Sequence, residues 1–453
     1  MGISNSVKSY GLSKLFDYVE KEPAHNMGKV MEFIDKITPG DVMATQRAAA
    51  RRVTADPGNV WNGMICDLFR DIDPFVLKQA FQNFVINGSL NGWAQQEKMR
   101  KQYGCNIPWA ILLDPTSACN LHCTGCWAAE YGNKLNLTFD EIDSIIEQGK
   151  ELGCYIYIYT GGEPLVRKKD LIALANKHND CEFLCFTNAT LIDDDFCKEM
   201  LRVGNFMPIP SVEGFEASTD FRRGEGTYEK VTNAMKLMRK YNLAYGVSCC
   251  YTSKNVDVIG SEEYFDWMIG MGVKFAWFFS YMPVGAGADT SLITRADQRE
   301  WMYNQVRKFR KSKPIFTLDF MDDGEYVGGC IAGGRRYLHI NANGDMDPCV
   351  FIHYSDTNIR EHTLLEGLQR PMFMAYHDNQ PFNENMLRPC PVLDNPGRLT
   401  QMVEDTGAHS TEVLVPEDVR DYSARTVEAA KEWKPRADRL WASKYHNPAL
   451  LVK

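Results

Sequence analysis

Six apolar runs, residues 109–113, 155–159, 183–186, 207–211, 245–251 and 275–281, are short and rich in β-branched and aromatic side chains. Between them, residues 140–152 and 228–241 repeat apolar positions at helical spacing. Strands alternating with helices predict an α/β fold with a parallel sheet and crossover helices. Ahead of this series, Asp73 and Pro74 read as the N-cap and first residue of a helix. Val76, Ala80, Phe81, Phe84 and Val85 would share one helical face, and Met27, Val30, Met31, Ile34 and Ile37 another. Such stripes predict packing surfaces, and they also fit a hydrophobic channel or a face that docks on a membrane. Pro416 opens a helical tail expected to end near Trp433, where Pro435 interrupts it. The pattern divides the chain into a helical N-terminal region (1–105), an α/β core (106–315), a small cysteine-containing extension (316–400) and a helical tail (401–453).

The chemistry sits at the ends of the predicted strands. Cys119, Cys123 and Cys126 form a CxxxCxxC set just after the run 109–113. Three thiolates can converge on one soft metal centre. They are one short of the four protein ligands of a closed zinc site or an electron-transfer iron–sulfur cluster. An iron cluster held by three cysteines keeps one iron open to a ligand that is not protein. Two plainer readings remain beside this one: a zinc knuckle completed by His122, and cysteines buried simply as small apolar residues. Further on, the run 155–159 stops at Gly161, Gly162, Glu163 and Pro164. Two glycines permit a sharp turn that presents backbone polar groups, and Glu163 adds a carboxylate suited to an amine or sulfonium.

A cysteine-rich strand-to-loop junction followed by GGEP resembles the radical S-adenosylmethionine (radical SAM) superfamily. The resemblance continues in order. Residues 183–188 look like the third barrel strand, with Asn188, Ala189 and Thr190 standing where members commonly carry an NGT-type turn. Residues 209–214 resemble the fourth strand end, S-[LIV]-[DE]-G, and 220–224 with 227–231 match the run into the next helix. One departure is Gly125, where many members place an aromatic residue; Trp127 is the expected substitute as a cover for the cofactor.

The resemblance implies a partial (β/α)6 barrel with its active residues at the C-terminal strand ends. It implies that Cys119, Cys123 and Cys126 hold a [4Fe–4S] cluster with an open iron. S-adenosylmethionine would chelate that iron, and its reductive cleavage would give a 5′-deoxyadenosyl radical that takes hydrogen from substrate. By position, Gly161, Gly162 and Glu163 would meet the methionine amino end. Ser211 and Glu213 would reach the ribose or carboxylate, Arg223 (or Arg222) would pair with the carboxylate, and Asn188 would lie near the adenosyl moiety. An electron donor such as a flavodoxin or ferredoxin is implied as a partner.

A second cysteine set follows. Residues 337–340 read as a strand, Asn343–Gly344 as a hairpin turn, and 346–351 as the return, bringing Cys330 and Cys349 together. The pattern resembles the opening of SPASM and twitch extensions, which bind auxiliary iron–sulfur clusters. Cys390 is the next available ligand and no cysteine follows it, so at most one auxiliary cluster is expected. Its fourth ligand would be His353, an aspartate, substrate or none; a vestigial hairpin without metal is the alternative. The remaining cysteines, among them Cys154, Cys181, Cys185, Cys197, Cys249 and Cys250, read as packing residues.

Composition narrows the partners. A net charge of −9 and a pI near 5.6 disfavour nucleic acid, which needs clustered Lys and Arg. Thiols used as ligands suit a reducing, cytoplasmic setting. The first five residues lack the basic end and apolar core of a signal peptide, and no uncharged apolar run is long enough for a bilayer span. Two substrate classes fit a radical enzyme here: a peptide, as for many SPASM-bearing relatives, and a lipid or its acyl chain. Residues 1–105 lack the short β-rich pattern of a winged-helix peptide-recognition domain and are apolar, so the reading leans toward a lipid with peripheral membrane contact. A non-catalytic iron–sulfur or zinc protein is the third reading.

Overall fold

The computed structural model describes residues 5–37 and 44–445. Residues 1–4, read above for a signal peptide, and the Ile37 side chain lie outside it. Nine strands build the core: β1 (Ala110–Leu113), β2 (Ile156–Tyr159), β3 (Glu182–Thr187), β4 (Phe206–Pro210), β5 (Gly246–Tyr251), β6 (Phe275–Ser280), β7 (Phe316–Asp319), β8 (Tyr337–Ile340) and β9 (Met346–Asp347). One sheet runs β4-β3-β2-β1-β8-β9 and a second β5-β6-β7. A parallel bridge between Ser211 and Ser248 joins them. All neighbours are parallel except the β8–β9 hairpin. The result is an open parallel sheet curved like a partial barrel.

The parallel series therefore exceeds the six predicted strands. β7 pairs with β6 through Phe275↔Phe316. β8, expected only as half of a hairpin, also pairs parallel with β1 through Leu112↔His339. Only the short helix Gly324–Val327 lies between β7 and β8, so the strand–helix alternation that reveals the others is missing there.

Period-two alternation sorts the strand side chains into two cores. Ile111, Leu113, Tyr157 and Tyr159 pack outward against the crossover helices. Ala110, Leu112, Ile156, Ile158, Leu184 and Ile209 face the interior. Aromatic rings fill that interior: Phe186 lies 5.2 Å from Trp277 and Phe279 lies 5.1 Å from Phe320.

Asp73 caps the predicted helix, accepting from the Phe75 and Val76 amides. The helix starts at Pro74–Ala80, widens to a π-helix over Phe81–Gly92 and returns to α over Trp93–Tyr103. The wider turn rotates the contact face, which corrects the predicted stripe. Val76 is buried, but Phe84 and Val85 are exposed, and the docked face is Asn83, Ile86 and Gly88. Asn83 donates to the carbonyls of Asn179 and Cys181, Asn87 to Asp180, and Gln96 to Gly153. These carbonyls precede β2 and β3, so the helix covers the end of the sheet opposite the strand C-termini. Phe81 packs on Phe16 at 5.2 Å, and Met27 of the second stripe is buried. Replacing Asn83 by Leu removes its hydrogen bonds to the Asn179 and Cys181 carbonyls, which keep Gln79 and Asn205 as donors, so each lost bond should cost only its net value of about 0.5–1.5 kcal/mol. A loss of roughly 1–3 kcal/mol in a denaturant melt is the expected outcome.

The tail is also longer than expected. Helix Val427–Tyr445 continues through Pro435, because tertiary contacts on both sides hold it. Trp433 is buried, donates to the Leu387 carbonyl at 2.9 Å, and lies under the Arg299 guanidinium at 4.4 Å; Arg436 and Arg439 pair with Glu300. No helix among the described residues is long and apolar enough to cross a membrane.

Candidate active site

The cysteine loop leaves β1 and is held by backbone. Gly162 N–H donates to Thr116 O at 3.0 Å and Glu163 N–H to Ala118 O at 2.8 Å. Gly161 has φ +102°, and a Cβ there would meet Asp114 at 2.8 Å. A Cβ on Gly162 would sit 2.3 Å from Ala118 O and 2.5 Å from Ser117 O. The two glycines thus let the β2 loop lie against the segment that delivers Cys119. On the other side Thr124 N–H donates to Arg222 O at 2.7 Å.

All three thiols are free; Cys119 is exposed, while Cys123 and Cys126 are half-buried. They lie within electrostatic reach of one another, and although Cys119 as a residue is exposed, surrounding protein atoms desolvate its thiol and push it up to about 11. Burial also raises Cys123, which the guanidinium of Arg223, Nη1 at 3.9 Å, partly offsets. Three soft donors on one loop with a cation beside them fit an anionic thiolate-bound cluster. Among the described residues no group of three or more His, Cys, Asp or Glu side chains is arranged to hold a metal ion, and His122 is exposed.

Several predicted ligand-facing groups have protein partners. Glu163 accepts from Thr187 Oγ1 at 2.6 Å, Asn188 N–H at 2.7 Å and Leu165 N–H at 2.9 Å, and it is buried. It staples the β2 end to the β3 end. Burial raises its carboxyl despite these donors. Glu213 is buried between Arg223 (2.5 and 2.6 Å) and Arg222 (2.9 Å). Burial alone would raise it; the two guanidiniums overcome that and hold it below the ordinary range. Arg223 accordingly faces Glu213 and Cys123. Asn188 donates to Asn120 Oδ1 at 2.8 Å, tying the cysteine loop to β3, and Ala189 adopts φ +60° in the turn. Ser211 lies at the β4–β5 bridge, its amide on Thr187 O at 2.8 Å.

Tyr281, not Trp127, fills the space at Gly125: a Cβ there would lie 2.5 Å from its ring. Trp127 instead meets His339 at 5.6 Å and His353 at 5.9 Å. His339 projects inward from β8, buried between Asp114 at 3.0 Å and Asp347 at 3.3 Å. Burial would lower its pKa, but the two carboxylates outweigh it and raise it to about 9. A raised folded-state pKa gives stability that is full below the unfolded value near 6.5 and is lost as pH rises through 9. Melting temperature is therefore expected to fall between pH 7 and 10 more steeply in wild type than in His339→Gln. The period-two pattern Tyr337–His339 was the available signal for this inward histidine.

Cys330, Cys349 and Cys390 border one region: all three lie within electrostatic reach of the buried Tyr376 hydroxyl. The Tyr337 hydroxyl donates to Cys349 Sγ at 2.7 Å and the Leu393 amide to Cys390 Sγ at 3.3 Å. Backbone amides of Ala332 and Phe351 favour the thiolates of Cys330 and Cys349. Burial in an apolar core pushes Cys330 to about 11 and Cys349 to about 12. Donors aimed at sulfur are the surroundings a thiolate-held cluster uses. His353 is not free to be a fourth ligand, since Nδ1 lies 3.2 Å from Glu412 Oε1 and Nε2 3.1 Å from Val350 O. Asp394 is nearer the set, accepting from the Cys390 amide at 3.0 Å while paired with buried Arg299 at 2.7 Å.

Residues 113–254 match the Radical SAM superfamily. An AdoMet-dependent heme synthase of Methanosarcina barkeri is 23% identical over 290 residues, covering 58% of this chain and 82% of that protein. A cysteine-type anaerobic sulfatase-maturating enzyme of Clostridium perfringens is 28% identical over 167 residues, covering 32% and 45%. The fold is similar to that of Streptococcus suis SuiB bound to S-adenosylmethionine, with a TM-score of 0.54 at 18% identity over 67% of this chain and 77% of that one.

Proposed function

From the premise that the chain carries a radical SAM domain and is an enzyme of that superfamily, we propose that it abstracts hydrogen from a peptide or protein substrate admitted at the strand C-termini. A bound [4Fe–4S] cluster with S-adenosylmethionine supplies the radical that this step needs. Cys119, Cys123 and Cys126 would hold that cluster, with Arg223 countering thiolate charge at Cys123. Gly161, Gly162, Glu163 and Asn188 position the loop, Glu163 by stapling the β2 end to the β3 end. Cys330, Cys349 and Cys390 would hold one auxiliary cluster where the extension meets the barrel interior. The observation that carries the reading is two separate three-thiol sets on the elements that border one barrel.

The peptide class draws support from the sulfatase-maturating relative and from the SPASM-like cysteine pattern. The heme synthase relative makes a tetrapyrrole the second candidate. The lipid reading rested on the helical stripes, and part of those stripes is spent in packing: Val76 and Met27 are buried and Phe81 meets Phe16, while Phe84 and Val85 stay exposed. The test is 5′-deoxyadenosine formation with a panel of cysteine- and serine-containing peptides, with an iron tetrapyrrole and with phospholipid vesicles. Acceleration together with a mass change is expected for a peptide. Acceleration by vesicles alone would contradict the reading.

A further inference from the structure

The helix Trp93–Tyr103 and the segment just before β8 meet in a cluster of guanidiniums. Arg336 lies 4.5 Å and Arg100 5.3 Å from the centre of the Trp93 ring. Arg335 donates to the carbonyls of Cys330 at 2.8 Å and Val327 at 2.7 Å. Arg100 pairs with Glu97. Arg336 has the Arg335 carbonyl and the Trp93 ring as its contacts, and no carboxylate among the described residues forms an ion pair with it or with Arg335. Burial and the guanidiniums of Arg335 and Arg100 lower Arg336 to about 10, against the pull of Glu97. The local field is therefore positive on a chain whose net charge is −9. The cluster is also open to solvent. Trp93 is 37% exposed, and Tyr326 and Val327, on the loop that Arg335 holds, are 58% and 41% exposed. Uncancelled arginines beside exposed aromatic side chains are the residue types that anchor protein interfaces.

We propose that this face docks an acidic protein, the one-electron carrier that supplies the enzyme, with Arg336, Arg335 and Arg100 meeting its carboxylates and Trp93 packing between them. Charge complementarity selects an acidic partner over a neutral or basic one. The position selects a redox carrier. Arg335 ties the face to the backbone of half-buried Cys330, one of the thiols read above as ligands of the auxiliary cluster. The inference rests on that reading and adds an entry point for electrons. One electron leaves the reduced flavin or iron–sulfur centre of the carrier for the centre that Cys330 helps to hold, and the carrier departs oxidised by one electron. Arg336 directly precedes β8, so the face lies at the end of the sheet opposite the strand C-termini. A docked carrier leaves the substrate side open.

The test is calorimetric binding of an acidic bacterial flavodoxin, and of an acidic ferredoxin, to the reconstituted protein. Arg336→Glu should weaken binding about tenfold at low salt. Added salt should shrink that difference, since screening shortens the reach of exposed charges. Trp93→Ala should weaken binding too, with less dependence on salt. Lys198→Glu makes the same change in net charge at an exposed lysine of the helix Asp194–Val203, and it should bind as wild type does. Iron content, and 5′-deoxyadenosine formation driven by dithionite without a carrier, should stay at the wild-type level in all three variants. Unchanged binding in both Arg336→Glu and Trp93→Ala, or an equal loss in Lys198→Glu, would overturn the proposal. So would wild type that binds neither carrier, or that takes up a short RNA in their place. Absence of 5′-deoxyadenosine from wild type under dithionite would instead overturn the function on which the proposal rests, while the calorimetry still decides the docking face.

Discussion

Alanine at Cys119, Cys123 and Cys126 together is expected to abolish 5′-deoxyadenosine formation while shifting the melting temperature by only a few degrees. The loop does not depend on its thiols for position. Backbone bonds from Gly162 and Glu163 to Thr116 and Ala118, and from Thr124 to Arg222, hold it. The thiols are exposed or half-buried, and substitutions at such sites usually change stability by no more than about 0.5 kcal/mol. Activity should thus be lost without the fold. Product formation under dithionite by the triple variant, measured beside a thermal melt, would contradict the assignment of these ligands.

Gly162→Ala is expected to fail in both respects. Its Cβ would enter within 2.3 Å of one backbone carbonyl and 2.5 Å of another, and backbone cannot rotate aside as a flexible side chain can. Overpacking of this kind costs about 1–3 kcal/mol, and relief requires moving the segment that carries Cys119. Iron retained at the catalytic set should fall with the melting temperature. A variant with wild-type iron and wild-type stability would show that the close approach of the two loops is unnecessary.

The strands and the cysteine loop were legible because both carry strong local signals. Residues 155–159 combine β-branched and aromatic side chains with a glycine stop, and three cysteines within eight residues need no tertiary context. β8 was half legible: its turn at Asn343–Gly344 announces a hairpin, but its parallel pairing with β1 is a long-range contact with no crossover helix to signal it. Glu163, Glu213 and Arg223 were read as facing a ligand at strand ends, and their protein partners were not legible. Those partners, Thr187 and Asn188 for Glu163, and Glu213 and Arg223 for one another, become neighbours only when the strands assemble. The helix after Asp73 began where expected, and the π-helical turn then rotated its face so that Asn83 rather than Phe84 meets the sheet. Cys250 was read with Cys249 as packing; alternation puts one outside and the other inside, and only burial shows which.

The most direct test of the account is iron content after anaerobic reconstitution, compared across three proteins. Wild type should bind about eight irons, as two [4Fe–4S] clusters. The Cys119, Cys123 and Cys126 alanine variant and the Cys330, Cys349 and Cys390 alanine variant should each retain about four. Loss of all iron from the first variant, or no loss from the second, would contradict two independent cluster sites on this chain.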